Sequence, residues 1–136
     1  MELGFDKIRL GPGDDMLDLS RLAVSGLEQI EGGAGNDRIV ASSADETIVG
    51  GAGQDIFVFQ DNFGHDTIAD FRLSRGGTRP SDTIDLSNLG FATFGNILAN
   101  AGQIGFDTVI SDPDSGSTLT LSKIRLSDLH ADDFIL

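Results

Sequence analysis

The sequence predicts an all-β fold: a parallel β-roll, or right-handed β-solenoid of nonapeptide repeats, followed by a small capping region with a short helix and a β-hairpin. Three observations carry this. Residues 32–40 read GGAGNDRIV and residues 50–58 read GGAGQDIFV, so Gly32, Gly33, Gly35 and Asp37 return as Gly50, Gly51, Gly53 and Asp55 after two nine-residue steps. Through the first half, an apolar residue stands two positions after each acidic residue of the register, as Ile39 follows Asp37. Glycine is abundant, 18 in 136 residues, and in these units it is placed in register rather than scattered as in a linker.

Residues 1–9 are read as a lead-in from an upstream region, being too short to cap a roll. The β-roll repeats occupy 10–71. Their first unit is LGPGDDMLD at 10–18, with Gly11, Gly13, Asp15 and Leu17 in the repeat positions and four extra residues before the next unit. Glu28 with Ile30, and Glu46 with Ile48 in ASSADETIV at 41–49, hold the acidic and apolar places between the glycine-rich units. FGHDTIADF adds Asp66 and Ile68, displaced by two residues. Glycine permits a tight turn at positive φ, and the last three residues of each unit form a short strand with one inward side chain. Two units make one coil, and stacked coils pair their strands in parallel. Leu17, Ile30, Ile39, Ile48, Phe57 and Ile68 are therefore expected to line an interior between two small sheets.

Residues 72–136 are the expected cap, needed because an open roll exposes strand edges and a core end. It should contain a strand in DTIDLS, a helix over 93–101 with Phe94, Ile97, Leu98 and Ala101 on one face, and a hairpin of DTVI and TLTL about DPDSGS. A last strand is expected near 124–126.

Stacked turns bring backbone carbonyls and Asp carboxylates of adjacent coils around shared positions. Such an all-oxygen cage suits a hard cation of calcium size, whereas magnesium demands tighter octahedral geometry and keeps its waters. The candidate ligands are Gly11, Gly13 and Asp15 in the first turn, Gly32, Gly33, Ala34, Gly35, Asn36 and Asp37 in the second, and Gly50, Gly51, Gly53 and Asp55 in the third. One Ca2+ is expected between turns 10–15 and 32–37 through Asp15 and Asp37, another between 32–37 and 50–55 through Asp37 and Asp55, so two or more ions in all. On the opposite side the turns read VSGLE, SSADE and FGHD, with Glu28 and Glu46 in the aspartate place and most glycines missing. Few or no ions are expected there, apart from one closing site to which Asp45, Asp66, Asp70 and Asp82 could together contribute.

Charge supports a cation and argues against other partners. The chain carries 22 Asp and Glu against 9 Lys and Arg, a net charge of -13, which repels nucleic acid and anionic membranes and repels itself unless cations bind. No apolar run approaches the ~18 residues of a membrane span, so no membrane insertion is expected. The start lacks the basic-then-apolar pattern of a cleaved signal. With no cysteine to form disulfides and a core of modest size, bound metal is the available staple.

The two full units resemble the G-G-x-G-x-D-x-U-x nonapeptide of the RTX, or hemolysin-type, calcium-binding repeat family. FVF (57–59), DTIADF (66–71) and DTIDLSNLGF (82–91) resemble the segment that closes the β-roll in secreted metalloproteases and in the R-modules of alginate epimerases. The resemblance covers residues 10–91. It implies a module that is extracellular, folds on calcium after export by type I secretion machinery, and stabilises the C-terminal end of a larger secreted protein through contact with an upstream domain. The ending Asp132, Asp133, Phe134, Ile135, Leu136 is similar to the acidic-then-apolar endings of those exported proteases, so 72–136 is also read as a secretion-signal region.

Other readings stay open. Turn aspartates can cap their own backbone in a metal-free solenoid. A carbohydrate-binding accessory module, alginate-like in its ligand, would need a basic track, for which Arg72, Arg75, Arg79, Lys123 and Arg125 are the available cations. The terminal domain of an adhesin has the same sequence features as the first reading. Catalysis is not expected: there is no GxSxG, no Walker loop and no cysteine, and without Trp or Tyr the usual stacking platforms of sugar-processing clefts are missing. His65 and His130 stand alone, without metal-ligand spacing, and suit surface or capping roles.

Overall fold

Each nine-residue step becomes half a coil. The computed structural model describes residues 7–21, 29–74 and 81–136. Short strands alternate between two sheets: β1 (Lys7–Arg9), β2 (Met16–Asp18), β3 (Gln29–Glu31), β4 (Arg38–Val40), β5 (Thr47–Val49), β6 (Ile56–Val58), β7 (His65–Ile68) and β8 (Thr83–Asp85). Odd-numbered strands pair in parallel in one sheet and even-numbered strands in the other. The register places Ile8, Ile30, Ile48 and Ile68 in one ladder. Leu17, Ile39, Phe57 and Ile84 form the facing ladder. All but the two at the open end, Ile8 and Leu17, are removed from water. Full burial of such a side chain is worth roughly 1.5–3 kcal/mol. The six inward residues expected from the repeat thus occupy the interior, and Ile8 in the lead-in adds a strand to it.

The region after residue 71 continues the same two sheets. Helix α1 (Phe94–Ala99) is shorter than the expected 93–101, because Thr93 is its N-cap, accepting from Asn96 N at 3.2 Å, and Ala101 already begins β9 (Ala101–Ile104). In so short a helix Ile97 alone is buried, and Leu98, expected on the apolar face, is exposed. The hairpin forms as β10 (Asp107–Ser111) and β11 (Thr118–Leu121). β11 also pairs in parallel with β7, setting Leu121 beside Ile68 and extending the odd ladder. β12 (Phe134–Ile135) pairs in parallel with β8 and sets Phe134 beside Ile84, where it also packs on Phe94 with ring centroids 5.8 Å apart.

The strand expected near 124–126 is replaced by a 3-10 turn at Leu126–Asp128. Lys123 enters the left-handed region at φ 59, and side chains satisfy the backbone that a strand partner would have: Thr108 Oγ1 donates to Ile124 O at 2.8 Å and Leu126 N donates to Gln103 Oε1 at 2.8 Å. At the chain end Asp133 is fully buried, its carboxylate accepting from Ser74 N and His130 N, both at 2.8 Å. Among the described residues no helix is long and apolar enough to cross a membrane.

Candidate metal centre

The turns leading into the even strands stack at one edge of the roll. Gly33 and Gly51 share φ 87, and Gly35 and Gly53 take φ 106 and 102, backbone that only glycine adopts without strain. Stacking adds a second reason for glycine: a Cβ on Gly53 would collide with Gly35 O, and one on Gly32 would lie 2.6 Å from both Asp37 Oδ2 and Gly50 O. The glycine edges are therefore lined by oxygen, at a spacing that leaves no room for carbon.

An aspartate ladder ties these turns together. Asp15 N donates to Asp37 Oδ1 at 3.0 Å, Asp37 N to Asp55 Oδ1 at 2.9 Å, and Asp55 N to Asp82 Oδ1 at 3.0 Å. A second ladder runs the other way along the outer residues, with Asn36 N donating to Asp14 Oδ1 at 2.8 Å and Gln54 N to Asn36 Oδ1 at 2.7 Å. Asp14 was no sequence candidate; its place before the repeat aspartate, matching Asn36, was the available signal.

The first ladder uses Oδ1 of Asp37, Asp55 and Asp82, while Asp15 enters it only through its backbone N–H. Oδ2 of Asp15, Asp37 and Asp55 is buried with no hydrogen-bond partner. Asp37 and Asp55 are only 2% and 1% exposed. Leaving such an atom unmade is expensive, by about 1–3 kcal/mol and more for a charged group. Burial pushes the Asp55 carboxyl up to about 7, aided by the like charges of Asp82, Asp37 and Asp70. Burial raises Asp82 to about 6 and moves Asp37 upward as well. Among the described residues no three carboxylates or imidazoles converge on one point. A cation here must be held by turn carbonyls together with one carboxylate oxygen per coil, which is the oxygen-rich, six-to-eight-fold environment that calcium takes. The orphaned oxygens, the oxygen-lined cradle at Gly32 and the all-oxygen donor set fit that ion.

The opposite edge carries a similar device. Ser42 N donates to Glu46 Oε1 at 2.9 Å, and Glu46 N donates to Asp66 Oδ1 at 2.8 Å. Glu46 Oε2 and Asp66 Oδ2 are buried without partners. Burial, then the charges of Glu46 and Asp45, push Asp66 up to about 8, and burial raises Glu46. The single closing site expected from Asp45, Asp66, Asp70 and Asp82 does not form, because the coil separates them. Asp70 accepts from Gly50 N and Gly51 N, both at 2.9 Å, and Asp82 from Asp55 N and Arg72 N, so both belong to the turn 50–55 edge. Asp45 accepts from His65 N at 2.8 Å and stays with Asp66 on the other edge. Glu28, Arg75 and Arg79 lie outside the described residues.

Comparison with known proteins matches this geometry. Residues 23–57 fit the family model of the RTX calcium-binding nonapeptide repeat, described as four copies. Over this segment the chain is similar to RTX repeats. The chain is similar to the endo-1,3-1,4-beta-glycanase EglC of Rhizobium meliloti, 35% identical over 80 residues, 59% of this chain and 16% of the glycanase. The fold is shared with the AlgE6R3 subunit of the Azotobacter vinelandii mannuronan C5-epimerase, at 25% identity and TM-score 0.60 over 93% of this chain and 80% of that one. It is shared too with the extracellular lipase LipA of Serratia marcescens, at 24% identity and TM-score 0.55 over 96% of this chain. The chain spans about a sixth of the glycanase and a fifth of the lipase, at 16% and 21% of their lengths.

Proposed function

We propose that this calcium-binding RTX module is a folding staple: calcium entering the stacked turns drives the roll to fold outside the cell and stabilises the C-terminal part of a larger secreted protein. The observation that carries the reading is the row of buried, partnerless Oδ2 atoms on Asp15, Asp37 and Asp55. Without a cation these atoms oppose folding, and with one they complete it. Two ions are assigned to turns 10–15 with 32–37 and 32–37 with 50–55. Asp70 and Asp82 support closure of the last turn, and the Glu46–Asp66 pair supports a further ion on the other edge.

Export by a type I system suits such a chain, since a polypeptide that stays loose where calcium is scarce can be threaded. Within the ending Asp132–Leu136, Asp133 and Phe134 are buried in the closed roll and are open to an exporter only before folding. The carboxylates in register hold backbone N–H groups, which supports a binding and structural role over a catalytic one. A far-UV circular dichroism titration with calcium after chelation, with magnesium as control, tests the proposal. A cooperative gain of β signal with calcium alone is expected. A spectrum already folded in chelator and indifferent to calcium would replace the staple with a metal-free solenoid.

A further inference from the structure

We propose that β9 is a docking edge for a second copy of this chain, the two copies pairing antiparallel about a two-fold axis at Gly102 and joining their sheets into one. β9 ends the sheet that begins at β1, and it belongs to the cap rather than to a calcium turn, so the proposal stands apart from the staple reading. Its pairing with β10 fixes which backbone groups remain. Ser111 N donates to Asn100 O at 2.8 Å, and bonded pairs alternate along an antiparallel ladder. Gly102 and Ile104 therefore also face β10, while Ala101 and Gln103 turn their N–H and C=O groups outward. Those outward groups have no backbone partner among the described residues. Nor does the following chain cover them. Gln103 Oε1 accepts from Leu126 N, and Thr108, opposite Gln103, donates to Ile124 O, both at 2.8 Å, which holds residues 124–126 beneath the sheet and off its edge.

Strands that stay single at a sheet edge are guarded by charge, proline or shortness. β1, at the far end of the same sheet, carries Lys7 and Arg9, both paired with Glu31. In the other sheet β2 carries Asp18 and β12 is two residues long. β9 reads AGQI, with neither charge nor proline. Apolar side chains flank it instead. Six large apolar side chains are exposed among the described residues, and three of them gather here. Leu98 is 38% exposed in α1 just before the strand, Ile104 63% at its end and Phe106 86% just beyond it.

The edge is self-complementary, which selects a second copy as its occupant. With Gly102 opposite Gly102 of the second copy, Ala101 of each lies opposite Gln103 of the other, and every outward N–H and C=O group finds a partner. The axis itself is free of side chains, and even a Cβ on Gly102 would meet nothing within 4 Å in its own chain. Reversal of direction carries Ile104 and Phe106 of one copy toward Leu98 of the other, at both ends of the contact. Charge favours the same place. The cleft beside the strand, lined by Gln103, Gly105, Phe106, Lys123, Arg125 and Ser127, holds cations and no carboxylate. Neither Lys123 nor Arg125 has an ion-pair partner among the described residues. On a chain of net charge -13 this is where another acidic copy is repelled least.

The test is sedimentation of the calcium-loaded full chain from micromolar to millimolar concentration, together with cross-linking through single introduced cysteines, since the chain has none of its own. A concentration-dependent dimer is expected. Gly102→Cys should oxidise to a disulfide-linked dimer, because antiparallel pairs without hydrogen bonds set their Cα atoms about 4.5 Å apart, inside the ~4.4–6.8 Å range of disulfides. Val109→Cys, opposite Gly102 on β10, should not, its copies standing about 14 Å apart. Ile104→Lys together with Phe106→Ser should weaken the dimer about a hundredfold, since each change counts twice in a two-fold interface. Calcium-dependent circular dichroism checks that the variants fold. A chain that stays monomeric at millimolar concentration would overturn the proposal. So would a dimer that cross-links no faster through Gly102→Cys than through Val109→Cys, or one that withstands Ile104→Lys with Phe106→Ser, since either would seat the second copy on another face.

Discussion

Replacing Asp37 with Asn tests the aspartate ladder at its centre. The side chain keeps its shape and its Oδ1, so the bond from Asp15 N at 3.0 Å survives, and only the charge on the free Oδ2 is lost. Asp37 faces both proposed ions. An ion at about one hundred times its dissociation constant contributes roughly 2.7 kcal/mol, so losing two removes about 5 kcal/mol. That equals the whole stability of a marginal domain, ~5–15 kcal/mol being typical. In calcium, thermal melts followed by circular dichroism should fall by more than about 10 °C. In chelator the sign reverses or vanishes, because the wild-type carboxylate is buried against Asp15 and Asp14 with nothing to neutralise it. An equal drop with and without calcium would make Asp37 a purely structural hydrogen bonder. No drop in either condition would move the ions elsewhere.

The remaining predictions concern pH, backbone and closure. Asp55, Asp66 and Asp82 have folded values raised to about 7, 8 and 6 from an ordinary 3.8, so the stability they lend the metal-free chain is present below about pH 4 and lost as pH rises through 6 to 8. Chelated protein should therefore melt higher at pH 5 than at pH 8, while calcium affinity rises over the same interval as protons stop competing. Gly53→Ala and Gly13→Ala meet the same φ of 102, but only at Gly53 would the new Cβ strike a carbonyl. Backbone strain of about 1–3 kcal/mol is expected at both, with a further loss at Gly53 alone, measurable by urea unfolding in calcium. Phe134→Ala removes the last rung beside Ile84 and the contact with Phe94, and should cost about 3–5 kcal/mol in the same assay.

Where the sequence repeats, it revealed the fold, because a nine-residue period with glycine at fixed places has one way to stack its apolar residues. The inward places of Ile30, Ile39, Ile48 and Phe57 in the two facing ladders followed from that period. β9 and β12 were hidden because AGQI and FI carry no repeat and gain their strand character only from β10 and β8. The expected strand near 124–126 failed for the converse reason: Thr108 and Gln103 side chains satisfy its backbone. At the centre, spacing picked out Asp37 and Asp55, yet it could not show that Asp70 and Asp82 fold over one edge while Asp45 and Asp66 stay on the other. The two-residue displacement at FGHD hid which coil each would join.

The aspartate ladder also has a polarity. Each repeat carboxylate grips the amide of the coil before it, Asp82 holding Asp55, Asp55 holding Asp37 and Asp37 holding Asp15. Order is thus handed back from the closed end, where β12 seals β8, toward the first turn, whose own Asp15 Oδ2 has no donor. The roll behaves as a zipper with its stop at the C-terminal side: amide exchange should slow stepwise from β2 to β8, and a broken rung should loosen the coils upstream of it while those downstream stay shut.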